Sequence, residues 1–313
     1  MTLTVLLTGA NGFIGSHTTL LFESLGYQVV AVDIMSRSDD LALLPINVST
    51  SILDVTDAKA FRKLCEKEKV THIIHLAHPP RKEDPNVLDF CLQAMLNIVG
   101  TAKEMSMRRV IFASSGAVYG QLPKGDGSLI RENNSVAIYP TFLYRSAKIL
   151  GEWLGDFYAQ HYGVDFIALR LSSVYGPGQV MGIGAAVKHG ILGRECRPYL
   201  TRVPDDLIFV KDAARAVHLA CLSERPGSHV YNIASTKPYL EEDLEGAMRR
   251  QLSEVSFQIS KHPHAETTAQ YRQRDILDVT LARDELGFIP EFDLDSGIAA
   301  IAEWVRSEKG RLS

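Results

Sequence analysis

The chain has 313 residues, 46% of them hydrophobic and 22% charged, enough to bury the core of one large domain or of two sharing a cleft. A formal net charge of -4 gives no electrostatic attraction to nucleic acid or to an anionic membrane, so the expected partner is a small-molecule substrate. The N-terminal apolar run Leu3 to Leu7 is too short for a signal peptide and nothing later reaches membrane-span length, which predicts a cytoplasmic protein.

In chain order, Val5 to Thr8 reads as a strand, followed by a glycine turn and a helix over Phe13 to Leu25. Gln28 to Asp33 is the next strand and Asp57 to Lys67 the next helix; then come a strand over His72 to Ala77 and a helix over Val87 to Met105. Val110 to Ser114, a helix over Phe142 to His161, and Phe166 to Leu171 complete the first half. This alternation predicts an α/β fold with a doubly wound parallel sheet of the Rossmann type. After Tyr175-Gly176-Pro177-Gly178 the elements shorten, which predicts a smaller, discontinuous C-terminal substrate lobe. The boundary is placed between a dinucleotide-binding unit, 1–174, and a mainly substrate-binding lobe, 175–313. Asp206 to Val210 and His229 to Ile233 are strands expected to return to the main sheet.

The four cysteines, Cys65, Cys91, Cys196 and Cys221, are widely spaced and form no C-x-x-C pair, so no metal is expected and the thiols read as structural.

Gly9-Ala10-Asn11-Gly12-Phe13-Ile14-Gly15 follows the first strand directly. Gly9 permits the tight turn, Gly12 lets backbone approach a pyrophosphate, and Gly15 allows close packing of a helix whose N-terminus faces the anion. The second strand ends in Asp33, whose carboxylate can accept from both adenosine ribose hydroxyls and repels a 2′-phosphate, so the expected cofactor is NAD. Arg37, a few residues on, is the one nearby group able to neutralise such a phosphate. Asp54 and Val55 lie where an adenine edge would sit, and Leu76, Ala77 and His78 close the fourth strand at the sheet edge where open parallel sheets bind ligands.

Tyr144 and Lys148 are four apart in a helical segment and share a face. An adjacent ammonium and a nicotinamide cation would both favour the phenolate, so Tyr144 is expected to titrate below its ordinary value of ~10. The strand ending at Ser114 runs into Ser115-Gly116, which places a hydroxyl at the carboxyl end of a central strand. Ser115 is assigned to the substrate oxygen, and Ser114 to the strand end or the cofactor.

Together, Gly9-x-x-Gly12-x-x-Gly15, Asp33, Asn97, Ser115 and Tyr144-x-x-x-Lys148 resemble the extended short-chain dehydrogenases, the NAD-dependent epimerase/dehydratase family, over essentially the whole chain. The resemblance implies Tyr144 as general acid and base, Lys148 as holder of the ribose hydroxyls, Ser115 as orienter of the reacting oxygen, and Asn97 as a support for the active site. It also implies a homodimer through the helices 87–105 and 142–161. Members that dehydrate sugars carry an Asp-Glu pair after the hydroxyl residue, whereas this chain has Gly116-Ala117. Nucleotide-sugar epimerases usually place an asparagine and an arginine on the diphosphate where this chain has Ser173 and Asp205. Arg202, Arg272 or Arg274 are candidates for a displaced anion contact, and His78, before Pro79-Pro80, for a substrate contact.

The expected activity is NAD-dependent hydride transfer at a secondary alcohol or ketone carbon of a sugar or sugar-acid-like substrate. Nucleotide-sugar 4-epimerisation is the alternative. A more remote one is a non-catalytic NAD(H)-sensing protein, which this chain's intact tyrosine and lysine argue against.

Overall fold

The computed structural model describes residues 3–35, 48, 50–79, 86–120, 129–136, 143–200, 204–224, 226–258 and 276–307. Its main sheet has seven strands: β1 (Thr4–Thr8), β2 (Gln28–Asp33), β3 (Thr50–Ile52), β4 (His72–His75), β5 (Arg109–Ser115), β6 (Phe166–Leu171) and β9 (Val230–Ile233). They lie in the order β3-β2-β1-β4-β5-β6-β9 with every pairing parallel. The order reverses between β1 and β4, which leaves a crevice at their carboxyl ends.

Buried β1, β4 and β6 explain why the sequence gives continuous apolar runs there instead of alternation. One face is covered by α1 (Phe13–Ser24), α6 (Val210–Leu222) and α8 (Thr280–Leu286), through a core that includes Phe22, Val217 and Leu286. The other carries α2 (Ala58–Lys67), α3 (Val87–Glu104) and α4 (Leu143–Tyr162), through Phe61, Ile98 and Leu154. Asp57 caps α2 by accepting from the Ala60 N–H at 3.0 Å, which is why the helix starts one residue later than the periodicity indicates. α4 lies close on the sheet, because a β-carbon on Gly151 would stand 2.5 Å from the Phe112 ring.

A second, three-stranded sheet has the order β10-β8-β7, from β7 (Ser173–Tyr175), β8 (Asp205–Phe209) and β10 (Pro238–Tyr239). α5 (Ile183–Ile191), α7 (Glu241–Gln251) and α9 (Leu294–Arg306) enclose its own core of Phe209, Leu244 and Ile298. The chain crosses between the sheets repeatedly, so neither is built from one continuous stretch.

Two expectations are corrected. The strand read over 206–210 does not return to the main sheet: it is β8, which pairs with β7 and β10. The place beside β6 is taken by β9, and Val210 already opens α6, so β8 is left to the smaller sheet. The strand read over His72 to Ala77 ends at His75, where the chain is drawn past the Gly9 turn.

Candidate active site

The glycine turn is built for close approach. Gly9 has φ +72, and a β-carbon there would lie 2.8 Å from the backbone of Ala77. A β-carbon on Gly15 would lie 2.8 Å from the Gly9 carbonyl carbon, so only glycine lets α1 start this near to β1. Gly12 is the N-cap and supplies no side-chain cap, which leaves first-turn N–H groups of α1, among them those of Phe13 and Ile14, without a side-chain acceptor. Asp33 holds the loop from the other side: Oδ2 accepts from the Asn11 N–H at 2.9 Å and Oδ1 from the Met35 N–H at 3.1 Å. Each oxygen retains a lone pair for a further donor. These residues fit NAD: an anion cradle stands at the helix end and a hydroxyl acceptor at the end of β2.

Other residues expected at the cofactor are tied into the surrounding loops by their own hydrogen bonds. The Asn11 amide donates to the Met35 carbonyl and accepts from the Thr50 hydroxyl. Asp54 accepts from both the N–H and the hydroxyl of Thr56. Asn97 donates to the carbonyls of Val55 and Thr56, both at 2.9 Å, and so fixes the loop after β3. Leu76 and Ala77 pass over Thr8, with the Leu76 N–H on the Thr8 carbonyl at 3.2 Å and the Ala77 N–H at 3.4 Å from the Thr8 hydroxyl.

At the same sheet edge the structure joins Ser115, Tyr144 and Lys148. Ser115 ends β5, accepts from the Ala117 N–H at 3.1 Å and hydrogen-bonds the Tyr144 phenol. Lys148, buried, donates to the Ala113 carbonyl at 2.7 Å and lies 5.6 Å from the centre of the Tyr144 ring. The His78 ring meets Tyr144 edge-on with centroids 4.9 Å apart, and its Nδ1 lies 2.8 Å from the Pro79 carbonyl.

The lowering expected of the Tyr144 pKa belongs to the NAD complex, where the nicotinamide adds its charge. In the chain by itself burial raises that pKa above the ordinary value, opposed by the Ser115 hydrogen bond and reinforced by nearby Cys91. Ser114 stands one residue before the end of β5, and its hydroxyl donates to the buried Glu152 carboxylate. Ser173 and Asp205 meet each other, the serine hydroxyl donating at 3.0 Å to a carboxylate that is itself fully buried. Arg37, Arg202, Arg272 and Arg274 lie outside the described residues.

Sequence reasoning missed the polar groups behind the site. Glu152 is the acceptor of a bidentate pair with Arg170, whose Nη1 donates to the Tyr119 hydroxyl at 2.7 Å. Their signal was a charged residue one turn after Lys148 and an arginine inside an otherwise apolar strand. His17, on α1, lies with Nε2 2.9 Å from the Pro177 carbonyl, tying the cofactor helix to the loop that leads into α5; burial lowers its pKa to about 4. His75 stacks on Phe112 and lies 2.8 Å from the Thr8 hydroxyl.

The profile of the NAD dependent epimerase/dehydratase family matches residues 5–234. The UDP-glucuronate 4-epimerase 4 of Arabidopsis thaliana is 25% identical, the alignment covering 97% of this chain and 76% of that protein. Among solved structures, a UDP-glucose 4-epimerase from Thermotoga maritima superposes with a TM-score of 0.81 at 23% identity, covering 97% of this chain and 99% of that one. An L-threonine 3-dehydrogenase from Trypanosoma brucei gives 0.81 at 21% identity, with 96% of each chain covered. At these identities the structural likeness establishes the fold.

Proposed function

Because the chain belongs to the NAD dependent epimerase/dehydratase family, we propose that it moves a hydride to and from a secondary carbinol carbon of a sugar or sugar-acid-like substrate, with Tyr144 exchanging the hydroxyl proton. The observation that carries this is the meeting of Ser115, Tyr144 and Lys148 at the sheet edge that also presents the Gly9 to Gly15 cradle.

In the oxidising direction Ser115 holds the substrate hydroxyl, its own orientation fixed by the Ala117 N–H, and Tyr144 receives the proton. NAD, when bound, accepts the hydride and in its oxidised form adds a positive charge to the site. Lys148 supplies a buried fixed cation on the Tyr144 side, and its ammonium also offers donors for ribose hydroxyls. Return of the proton from Tyr144 accompanies reduction. The seven-stranded sheet is assigned to the cofactor and the three-stranded sheet with α5, α7 and α9 to the substrate, with His78 and Ser173 at the junction.

Nucleotide-sugar 4-epimerisation is the second reading, favoured by the names of the relatives, among them a putative UDP-glucose 4-epimerase of Methanocaldococcus jannaschii at 26% identity. Against it stands the Ser173–Asp205 pair, which brings a carboxylate where a diphosphate would need a donor. Dehydration lacks an acid, since Gly116 and Ala117 follow Ser115.

We further infer a homodimer through α3 and α4. These helices pack side by side and expose Leu96, Trp153, Phe157 and Tyr162. A reducing, cytoplasmic compartment accords with four free cysteines. Among the described residues no helix is long and apolar enough to cross a membrane.

The test incubates purified protein and NAD with free sugars, sugar acids and UDP-sugars. Stoichiometric NADH from a free sugar or acid supports the dehydrogenase, while a UDP-sugar epimerised without net NADH supports the second reading. Tyr144→Phe should abolish turnover and leave NAD binding nearly intact; unchanged turnover removes Tyr144 from the reaction.

A further inference from the structure

Tyr144, Lys148 and Glu152 stand on successive turns of α4, and each reaches β5. Tyr144 meets Ser115, Lys148 meets the Ala113 carbonyl, and Glu152 accepts from Ser114. The third of these rungs differs from the others because it is anchored sideways across the sheet. Ser114, Arg170 and Asn232 are register neighbours on β5, β6 and β9. Arg170 grips Glu152 with Nε at 3.0 Å and Nη2 at 2.7 Å, and its Nη1 donates to the Tyr119 hydroxyl. Tyr119 donates to Asn232 Oδ1 at 2.7 Å, and Asn232 donates to the Ile130 and Asp278 carbonyls.

Both members of the Ser115–Tyr144 contact therefore hang from one buried group. Ser115 is tied to it through Ser114 and through the 3-10 turn Gly116–Tyr119 that it caps; Tyr144 is tied to it through two turns of α4. The ion pair is nine-tenths buried, and an apolar pair of similar volume would stabilise such a site as well or better. What charge supplies here is direction: a bidentate guanidinium–carboxylate contact fixes both the height and the rotation of the helix.

We propose that Glu152, through its ion pair with Arg170, is a positioning residue that holds the face of α4 so that Tyr144 stays on Ser115. This rests on the assignment of Tyr144 as the proton-transfer group. Among the described residues, the groups around the phenol include Ser115 of β5, Cys91 of α3, the His78 ring after β4, and Lys148 on its own helix. Burial raises the Tyr144 pKa and the Ser115 hydrogen bond lowers it, so a shift of α4 that breaks this contact while Tyr144 stays buried raises the pKa further.

The experiment uses the double variant Glu152→Gln/Arg170→Met, which removes one charge of each sign and leaves the net charge unchanged. In the NAD complex, the phenolate absorbance of Tyr144, identified by difference from Tyr144→Phe, should titrate at higher pH than in the parent, by about half a unit or more. With a substrate from the screen, kcat at neutral pH should fall at least about tenfold while KM moves little, with partial recovery at high pH. An unmoved phenolate titration and a parental kcat overturn the proposal. If the double variant does not fold, Arg170→Lys, which keeps the cation but gives up the bidentate contact with Glu152, is read in the same way: a raised titration supports and an unmoved one overturns. Turnover that survives Tyr144→Phe sinks the assignment of Tyr144 itself, whereas loss of turnover there combined with an unmoved double variant sinks only the role of Glu152.

Discussion

Gly15 stands so close to Gly9 that a β-carbon on the former would lie 2.8 Å from the carbonyl carbon of the latter, and nearer still to its oxygen. The Gly9 carbonyl is not free to retreat, since it accepts from the Gly12 N–H at 3.0 Å. Gly15→Ala must therefore push the start of α1 away from the loop. The expected outcome is a loss of about 1–3 kcal/mol in stability and of at least about tenfold in NAD affinity, read by denaturant unfolding and by calorimetric titration. Parental NAD affinity in this variant would mean that the turn does not hold the cofactor.

Asp33 anchors the same loop through the Asn11 N–H and carries the negative charge at the end of β2. Replacing it with serine removes the repulsion of a 2′-phosphate and part of the ribose contact. NAD affinity should fall and NADP affinity rise, changing their ratio by about tenfold or more. A ratio that stays put would show that discrimination is made elsewhere.

Three buried histidines predict acid sensitivity. Burial lowers the pKa of His17 and His72 to about 4 and that of His75 to about 3, from 6.5. Between these values the unfolded chain binds protons that the folded one refuses, so stability is full above pH 6.5 and is lost as the pH falls toward 4. Each histidine contributes about 1.4 kcal/mol per pH unit across that window. Unfolding measured at several pH values should show this slope, and His17→Gln, which keeps a donor for the Pro177 carbonyl, should reduce it by one proton. Stability that is flat across the window would contradict the buried neutral state.

The exposed aromatic face of α4 makes the dimer testable. Trp153 is 62% exposed and its ring centre lies 6.3 Å from that of Phe157. Trp153→Glu together with Phe157→Glu should leave the fold intact and shift the sedimenting mass from two chains to one. A parental chain that sediments as a monomer at micromolar concentration would end the dimer reading.

What the sequence determined by itself was whatever depends on local rules. The alternating elements follow from periodicity, the Gly9 turn from the conformations open only to glycine, Asp33 from its place at the end of a strand, and the common face of Tyr144 and Lys148 from helical spacing. Pairings between distant segments were decided only by the tertiary structure. β8 went to the smaller sheet because β9 already occupied the edge beside β6. Ser114 turned to Glu152 because α4 lies on β5, and the register of β5, β6 and β9 placed Arg170 and Asn232 in the same row. In the chain by itself burial raises the Tyr144 pKa, an effect that helical spacing does not contain, because burial depends on how every surrounding element packs.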